Sequence, residues 1–157
     1  MRRIVAKLFV GLAITAIGMF GADSSLGTWN MNVAKSKTTS TNPVKSRTEV
    51  WEATPDGGVK VTRTGQLADG ADSSGSFTAK YDGKEYPVTA GPTATLSISL
   101  KRVNANTTSW EVKSTSGPLH QTIRSVISKD GKTKTDTFKG TDNAGKPVAG
   151  TSVYEKQ

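Results

Sequence analysis

Residues 95–103 read Thr-Leu-Ser-Ile-Ser-Leu-Lys-Arg-Val, and they show most clearly the pattern from which the fold is predicted. Leu96, Ile98 and Leu100 alternate with small or charged residues. Successive side chains of a β-strand point to opposite faces of the sheet, so an alternation with a period of two indicates a strand that is buried on one face. The stretch therefore predicts a strand with an apolar inner face and a polar outer face.

The same alternation recurs along the rest of the chain. It is seen in Trp29, Met31 and Val33, in Val59 and Val61, in Phe77, Ala79 and Tyr81, and in Leu119, Ile123 and Ile127. Asp-Gly pairs at 56–57, 69–70, 82–83 and 130–131 are typical of tight turns, because glycine accepts a positive φ. Strands are predicted at 26–33, 44–53, 58–67, 75–81, 85–89, 95–103, 107–115, 119–128, 132–139 and 148–156.

Ten short consecutive strands joined by turns favour an all-β fold, a single up-and-down antiparallel β-barrel of eight to ten strands. A long meander tends to close on itself, because closure removes the exposed strand edges. A β-sandwich is the alternative that the pattern leaves open. Segment 34–43 is rich in Lys, Ser and Thr and has no apolar periodicity. It is predicted to be a loop across one end of the barrel, without a stable helix.

The composition excludes several classes of function. The 157 residues include 21 Lys and Arg against 13 Asp and Glu, no Cys and one His. Disulfides, thiolate metal sites, cysteine nucleophiles and multi-histidine metal centres are therefore excluded. The sequence contains no catalytic triad signature and no phosphate-binding loop, so no catalytic residue, metal or cofactor is predicted. The basic residues are interleaved with acids, which does not favour nucleic acid as a partner.

The N-terminus has the pattern of an export signal. Arg2, Arg3 and Lys7 precede an apolar run from Leu8 to Phe20, and small residues follow. This pattern predicts a signal-peptide helix over residues 1–22 and one domain over 23–157, in a secreted or periplasmic protein. The cleaved signal peptide would be its only membrane contact. A retained membrane anchor is the alternative, although the apolar run is shorter than the span of about 20 residues that a bilayer requires.

Both ends of the predicted domain resemble calycins, the superfamily of lipocalins and fatty-acid-binding proteins. Gly27-Thr28-Trp29 matches the G-x-W motif that begins the first strand of these proteins, and residues 153–157 are similar to the closing strand of fatty-acid-binding proteins. The chain also resembles a group of small exported lipocalin-like bacterial proteins. The segments that carry this second resemblance are 27–32, 35–37, 81–88, 128–133 and 139–141.

The resemblance implies roles for individual residues. Gly27 and Trp29 would close one end of the barrel, with an arginine stacked on the indole; Arg124 is the predicted partner and Arg102 the other candidate. Two features depart from fatty-acid-binding proteins. The segment after the first strand is too short and polar for their helical lid, and Ser152 occupies the position of an arginine that holds the ligand carboxylate.

Two arginines share the parity of apolar strand positions. Arg63 lies two residues after Val61, and Arg102 lies two residues after Leu100. Both guanidinium groups are therefore predicted to point inward, where they suit a carboxylate or phosphate. The alternative is that they reach solvent or pair with an acid such as Glu52. The predicted ligand-binding residues are Arg63, Arg102, Met31, Phe77, Tyr81, Ile98, Leu100, Trp110, Ile123, Phe138 and Tyr154.

The sequence is compatible with two functions. The first is a non-enzymatic carrier, an exported barrel that holds a small hydrophobic or amphipathic ligand, anionic if the arginines bind it. Small inward residues such as Ala79, Ser114 and Ser125 favour a cavity. The alternative is a non-enzymatic envelope or extracellular interaction module with a filled barrel, in which Trp51 is an exposed contact residue.

Overall fold

The computed structural model describes residues 23–90 and 94–157, and the predicted signal peptide lies outside the described residues. Short turns join eleven strands in this part of the chain. The strands are β1 (Gly27–Met31), β2 (Lys37–Thr38), β3 (Val44–Ala53), β4 (Val59–Leu67), β5 (Gly75–Ala79), β6 (Asp82–Ala90), β7 (Ala94–Asn104), β8 (Thr107–Ser114), β9 (His120–Ile127), β10 (Thr133–Thr141) and β11 (Pro147–Lys156).

The strands form one closed antiparallel barrel. From β3 to β11, every strand is hydrogen-bonded to the next one along the chain, and β1 pairs with both β3 and β11. Ten strands make up the ring, and the two-residue β2 continues the line of β1 along β11. The predicted all-β antiparallel barrel is confirmed, and a single closed sheet excludes the β-sandwich.

All ten predicted strands are present, and the largest differences lie at β6 and in the segment after β1. The pair Asp82-Gly83 forms a bulge inside β6 rather than a hairpin turn, with φ of +76° at Gly83. β6 therefore begins three residues earlier than predicted. After β1, a 3-10 helix at Val33–Lys35 is capped by the Asn32 side chain, which accepts a hydrogen bond from the Lys35 amide. Only this single turn interrupts the predicted loop before β2.

One end of the barrel is closed by the segment that leads into β1. Trp29 is fully buried there, and its indole N–H donates a 2.8 Å hydrogen bond to the Ser25 carbonyl. Gly27 has φ of +115°, and a Cβ at this position would lie 2.9 Å from the Lys156 side chain. The two residues of the G-x-W motif thus have separate structural roles: Gly27 permits the close approach of β11, and Trp29 fills the end of the barrel.

An ion pair fixes the closing segment to the barrel. Both terminal nitrogens of Arg102 donate to the Asp23 carboxylate, which also accepts from the Ser25 amide and hydroxyl. Burial would raise the pKa of Asp23, but these hydrogen bonds outweigh it and lower the pKa overall. Ionised Asp23 is therefore part of the folded structure.

We expect Asp23→Asn to lower the free energy of unfolding by about 1 kcal/mol at neutral pH, because the ion pair is only partly shielded from water. A depressed carboxyl pKa contributes stability above its unfolded value, near 3.9, and loses it as the pH falls through the folded value. The difference between wild type and variant should therefore shrink in acid. Urea unfolding at neutral and acid pH measures it, and a difference independent of pH would contradict the ionic role of Asp23.

Side chains fill the half of the barrel next to this end. The buried apolar residues are Trp29, Trp51, Val59, Val61, Phe77, Ala79, Ile98, Leu100, Trp110, Ile127, Val148 and Tyr154. All of them except Val148 form one cluster, and the partly buried Met31, Val112 and Ile123 pack against it. Packing is therefore uneven along the barrel axis: the half next to Trp29, the solid half, is filled with side chains, and the half at the other end, the open half, is not.

Candidate functional site

The open half of the barrel contains a cavity of about 950 Å³. This volume is within the range of small-molecule sites, about 300–1,000 Å³. Its apolar wall consists of Met31, Phe77, Val88, Leu96, Val112, Ile123 and Phe138. Its rim is rich in Ser, Thr and Asn, from the loops at the open end. A molecule inside would meet apolar surface along its body and polar groups at the mouth.

Charged side chains meet at the bottom of this cavity. We call Arg47, Glu49, Arg63, Lys134 and Asp136 the ionic cluster. Glu49 and Lys134 are each 1% exposed, and the Lys134 ammonium donates to the Glu49 carboxylate. Arg63 donates to the other oxygen of Glu49 at 3.0 Å. Such buried charges persist only when they are paired, which explains why Glu49 holds two cations at once.

Aromatic rings surround the Lys134 ammonium. Its Nζ lies 4.2 Å from the ring centroid of Tyr154 and 4.9 Å from that of Trp51. The Trp51 indole N–H donates to Glu49 at 3.0 Å, so the same ring supports both members of the ion pair. Cation–π contacts of this kind strengthen when water is excluded. Lys134 does not line the cavity, whereas Arg47, Glu49, Arg63, Asp136 and Tyr154 do.

Asp136 is the second acid of the ionic cluster and is less closely paired than Glu49. Its carboxylate lies 3.6 Å from the Lys134 ammonium and accepts a hydrogen bond from the Ser125 hydroxyl. Ser125 in turn accepts a 2.7 Å hydrogen bond from the Trp110 indole N–H. Burial raises the pKa of Asp136; Lys134 opposes this increase, whereas the nearby Glu49 adds to it.

Arg47 is the cation with unused hydrogen-bonding capacity. Its Nε is buried and has no hydrogen-bond partner within residues 23–90 and 94–157. Burial lowers the pKa of Arg47, but the neighbouring Tyr154 and Glu49 outweigh that effect and raise the pKa overall. The side chain of Arg47 lines the cavity, so its guanidinium brings a positive charge and hydrogen-bond donors to the site.

The ionic cluster carries more positive than negative charge. Three basic side chains face two acidic ones, and the same carboxylate of Glu49 interacts with all three. Burial would raise the pKa of Glu49, but Lys134, Arg63 and Arg47 hold it well below its usual range. The bottom of the cavity is therefore electrostatically suited to an anion.

The structure places most of the predicted ligand-binding residues around the cavity. Those that line it are Arg63, Met31, Phe77, Trp110, Ile123, Phe138 and Tyr154. Arg63 pairs with Glu49 rather than with the predicted Glu52, because Glu49 shares its inward parity. Ser152, at the position of the missing arginine, also lines the cavity.

The other predicted ligand-binding residues lie elsewhere. Arg102 pairs with Asp23 at the closed end, and its guanidinium lies 4.0 Å from the ring centroid of Tyr81. Ile98 and Leu100 are buried in the solid half. Arg102, Tyr81, Ile98 and Leu100 therefore do not line the cavity, contrary to the prediction. Sequence parity identifies the inner face of a strand but not the height of a residue along the barrel axis.

Two further predictions are wrong. Arg124 is exposed on the outer face of β9, whereas the cations near the Trp29 ring are Lys156, at 5.0 Å from its centroid, and Lys134. Trp51 is only 3% exposed, so it is a core residue and not a surface contact. Both errors concern which face of a strand a side chain occupies, and the neighbouring apolar residues decide that face.

Sequence reasoning missed Arg47, Glu49, Lys134 and Asp136. A signal was available, because Lys134 and Asp136 share the parity of Phe138 on β10, and the other two share the parity of Trp51 on β3. Charged residues at inward positions of a barrel are informative since isolated buried charges are rarely tolerated.

Comparisons with models of known protein families and with curated protein sequences found no match. Several solved structures are similar to the chain, and two of them represent the two kinds of protein found. One is EF1p2_mFAP2b bound to DFHBI, with a TM-score of 0.51 and 9% identity over 87% of this chain and 96% of that one. The other is the wild-type fluorescent protein UnaG, with a TM-score of 0.54 and 11% identity over 87% of this chain and 100% of that one. The chain shares the closed antiparallel β-barrel fold of these structures. Within the described residues, no helix is long and apolar enough to span a membrane.

Proposed function

We propose that this protein is an exported, non-enzymatic binding protein that holds one small amphipathic molecule with an anionic head group inside its barrel. The observation that carries the proposal is the pair of arginines, Arg47 and Arg63, that line a cavity of about 950 Å³ with apolar walls. The ligand's apolar body would contact the walls, and its head group would accept hydrogen bonds from the guanidinium groups of Arg47 and Arg63.

Three further observations support the proposal. The ionic cluster has a positive excess, which an anion would balance. The similar barrel EF1p2_mFAP2b has a structure with a small molecule, DFHBI, bound. The pattern of residues 1–22 supports export. The interaction-module alternative requires a filled barrel, which does not agree with the cavity, and the surface contact suggested for it, Trp51, is buried.

Two fluorescent probes with one skeleton test this function. N-phenyl-1-naphthylamine is neutral, and 8-anilinonaphthalene-1-sulfonate adds a sulfonate to the same rings. We expect the protein to bind both, and the sulfonate about tenfold more tightly, because only the sulfonate gains hydrogen bonds to arginine. Absence of binding by both probes would refute the carrier function, and equal affinities would refute the anionic preference.

A pair of tryptophan variants locates the binding. Ser152 faces the cavity and pairs with Asp136 across the β10–β11 ladder. Thr137 is the residue after Asp136, and its side chain is exposed on the outer face of β10. We expect Ser152→Trp to weaken binding of both probes at least about tenfold, because the indole occupies the ligand volume. Thr137→Trp introduces the same ring on the exposed face and should leave both affinities unchanged. Equal effects of the two variants would place the probes outside the cavity.

A further inference from the structure

Asp136 occupies a distinctive place in the ionic cluster. It lines the cavity with its side chain 7% exposed, and it shares the Lys134 ammonium with Glu49. The ammonium is hydrogen-bonded to Glu49 and stands 3.6 Å from Oδ2 of Asp136. Of the two buried acids, Asp136 is therefore the one whose negative charge is less fully compensated.

The hydrogen bonds around Asp136 determine where it can take up a proton. The Trp110 indole N–H can only donate, so the Ser125 hydroxyl must accept from it and direct its own proton toward Oδ1 of Asp136. Oδ1 is thus held as an acceptor. A proton added to Asp136 goes to Oδ2, where no hydrogen bond is displaced and the charge beside Lys134 is removed.

Charged and titratable groups face Asp136 from four strands. Arg47 and Glu49 come from β3, Arg63 from β4, Tyr154 from β11 and Lys134 from β10 itself, while β9 contributes the neutral Ser125. Burial raises the pKa of Tyr154 far above its usual value, so this phenol stays neutral. Because three cations lower the pKa of Glu49 whereas burial raises that of Asp136, Asp136 is the acid of the ionic cluster that takes up a proton first as the pH falls.

We propose that the ionisation of Asp136 controls the anion affinity of the cavity, so that the protein binds an anionic ligand tightly when Asp136 is neutral and more weakly when it is charged. The inference rests on the proposed function and adds its regulation. A neutral Asp136 leaves three cations facing one carboxylate, whereas a charged Asp136 adds a second negative charge that repels the incoming anion.

The direction of the pH dependence of anion affinity follows from proton linkage. Burial raises the pKa of Asp136, and a bound anion would raise it further, so anion binding is accompanied by proton uptake. Affinity should be highest in acid and should fall as the pH rises through the Asp136 transition, with a slope of at most about tenfold per pH unit. A neutral ligand should show no such dependence.

The same two probes separate this inference from the proposed function. The sulfonate of 8-anilinonaphthalene-1-sulfonate stays ionised throughout, so its own titration does not interfere. Between about pH 4 and about pH 9, we expect its dissociation constant to rise about tenfold in total, while that of N-phenyl-1-naphthylamine stays constant. Asp136→Asn should bind the sulfonate at every pH as tightly as wild type does in acid.

Each result has a defined meaning. Sulfonate binding that is independent of pH in wild type would overturn the inference and leave the carrier function standing, whereas no binding of either probe at any pH would overturn both. A pH dependence that persists in a folded Asp136→Asn protein would assign the proton to another group and overturn the inference. If that variant does not fold, ¹³C NMR of the aspartate carboxyl carbons in wild type decides, because the Asp136 resonance must titrate together with the affinity, and separate transitions would overturn the inference.

Discussion

Replacing Glu49 with glutamine is expected to lower the free energy of unfolding by about 3–5 kcal/mol, the cost of breaking a buried ion pair from one side. Glutamine keeps the shape of the side chain but removes the charge that Lys134 and Arg63 both contact. Within the part of the chain that the structure describes, Lys134 would then keep Asp136, at 3.6 Å, as its one neighbouring acid. Urea unfolding followed by tryptophan fluorescence measures the loss, since all three tryptophans are buried.

Two further variants distinguish the loss of the ion pair from a general effect of removing a carboxylate. Glu155 pairs with Lys35 on the surface, so Glu155→Gln should leave the unfolding midpoint unchanged within error. Adding Lys134→Met to Glu49→Gln removes the uncompensated ammonium and should recover part of the lost stability. A Glu49→Gln protein as stable as wild type, or a double variant less stable than the single one, would contradict this account of the ionic cluster.

The barrel could be predicted from the sequence because its strands are half-buried. On β7, Leu96, Ile98 and Leu100 alternate with residues that face away from the core, and this local pattern determines the strand and its inner face. A turn signal is less decisive than the alternation around it. The Asp82-Gly83 pair has the composition of a turn, yet it lies in a bulge because the strand pairing continues across it to β7.

The bottom of the cavity could not be predicted in the same way. Glu49 and Lys134 are 85 residues apart and lie on β3 and β10, which are not neighbours in the barrel. Their contact depends on closure of the ring, which no local pattern encodes. Parity alone also cannot distinguish Arg63, beside the cavity, from Arg102, at the closed end, since both have the parity of inward positions but lie at different heights along the barrel.

Replacing Arg47 with methionine is expected to weaken binding of 8-anilinonaphthalene-1-sulfonate about 10- to 100-fold. The loss of a hydrogen bond to a charged group costs about 1.5–3 kcal/mol, which corresponds to that range of affinity. Arg47 is a better site for this test than Arg63, because Arg63 also holds Glu49 and its loss would disturb the fold. Binding of the neutral N-phenyl-1-naphthylamine should be unchanged, since methionine preserves the apolar volume.

Two control variants remove the same charge elsewhere. Arg124→Met changes the outer face of β9, and Arg102→Met changes the closed end, so neither should alter sulfonate affinity beyond a small screened effect of net charge. Arg102→Met should instead lower the unfolding midpoint, because Asp23 loses its partner. If all three methionine variants weaken sulfonate binding equally, then the protein attracts anions through its overall charge, and the buried guanidinium of Arg47 has no special role.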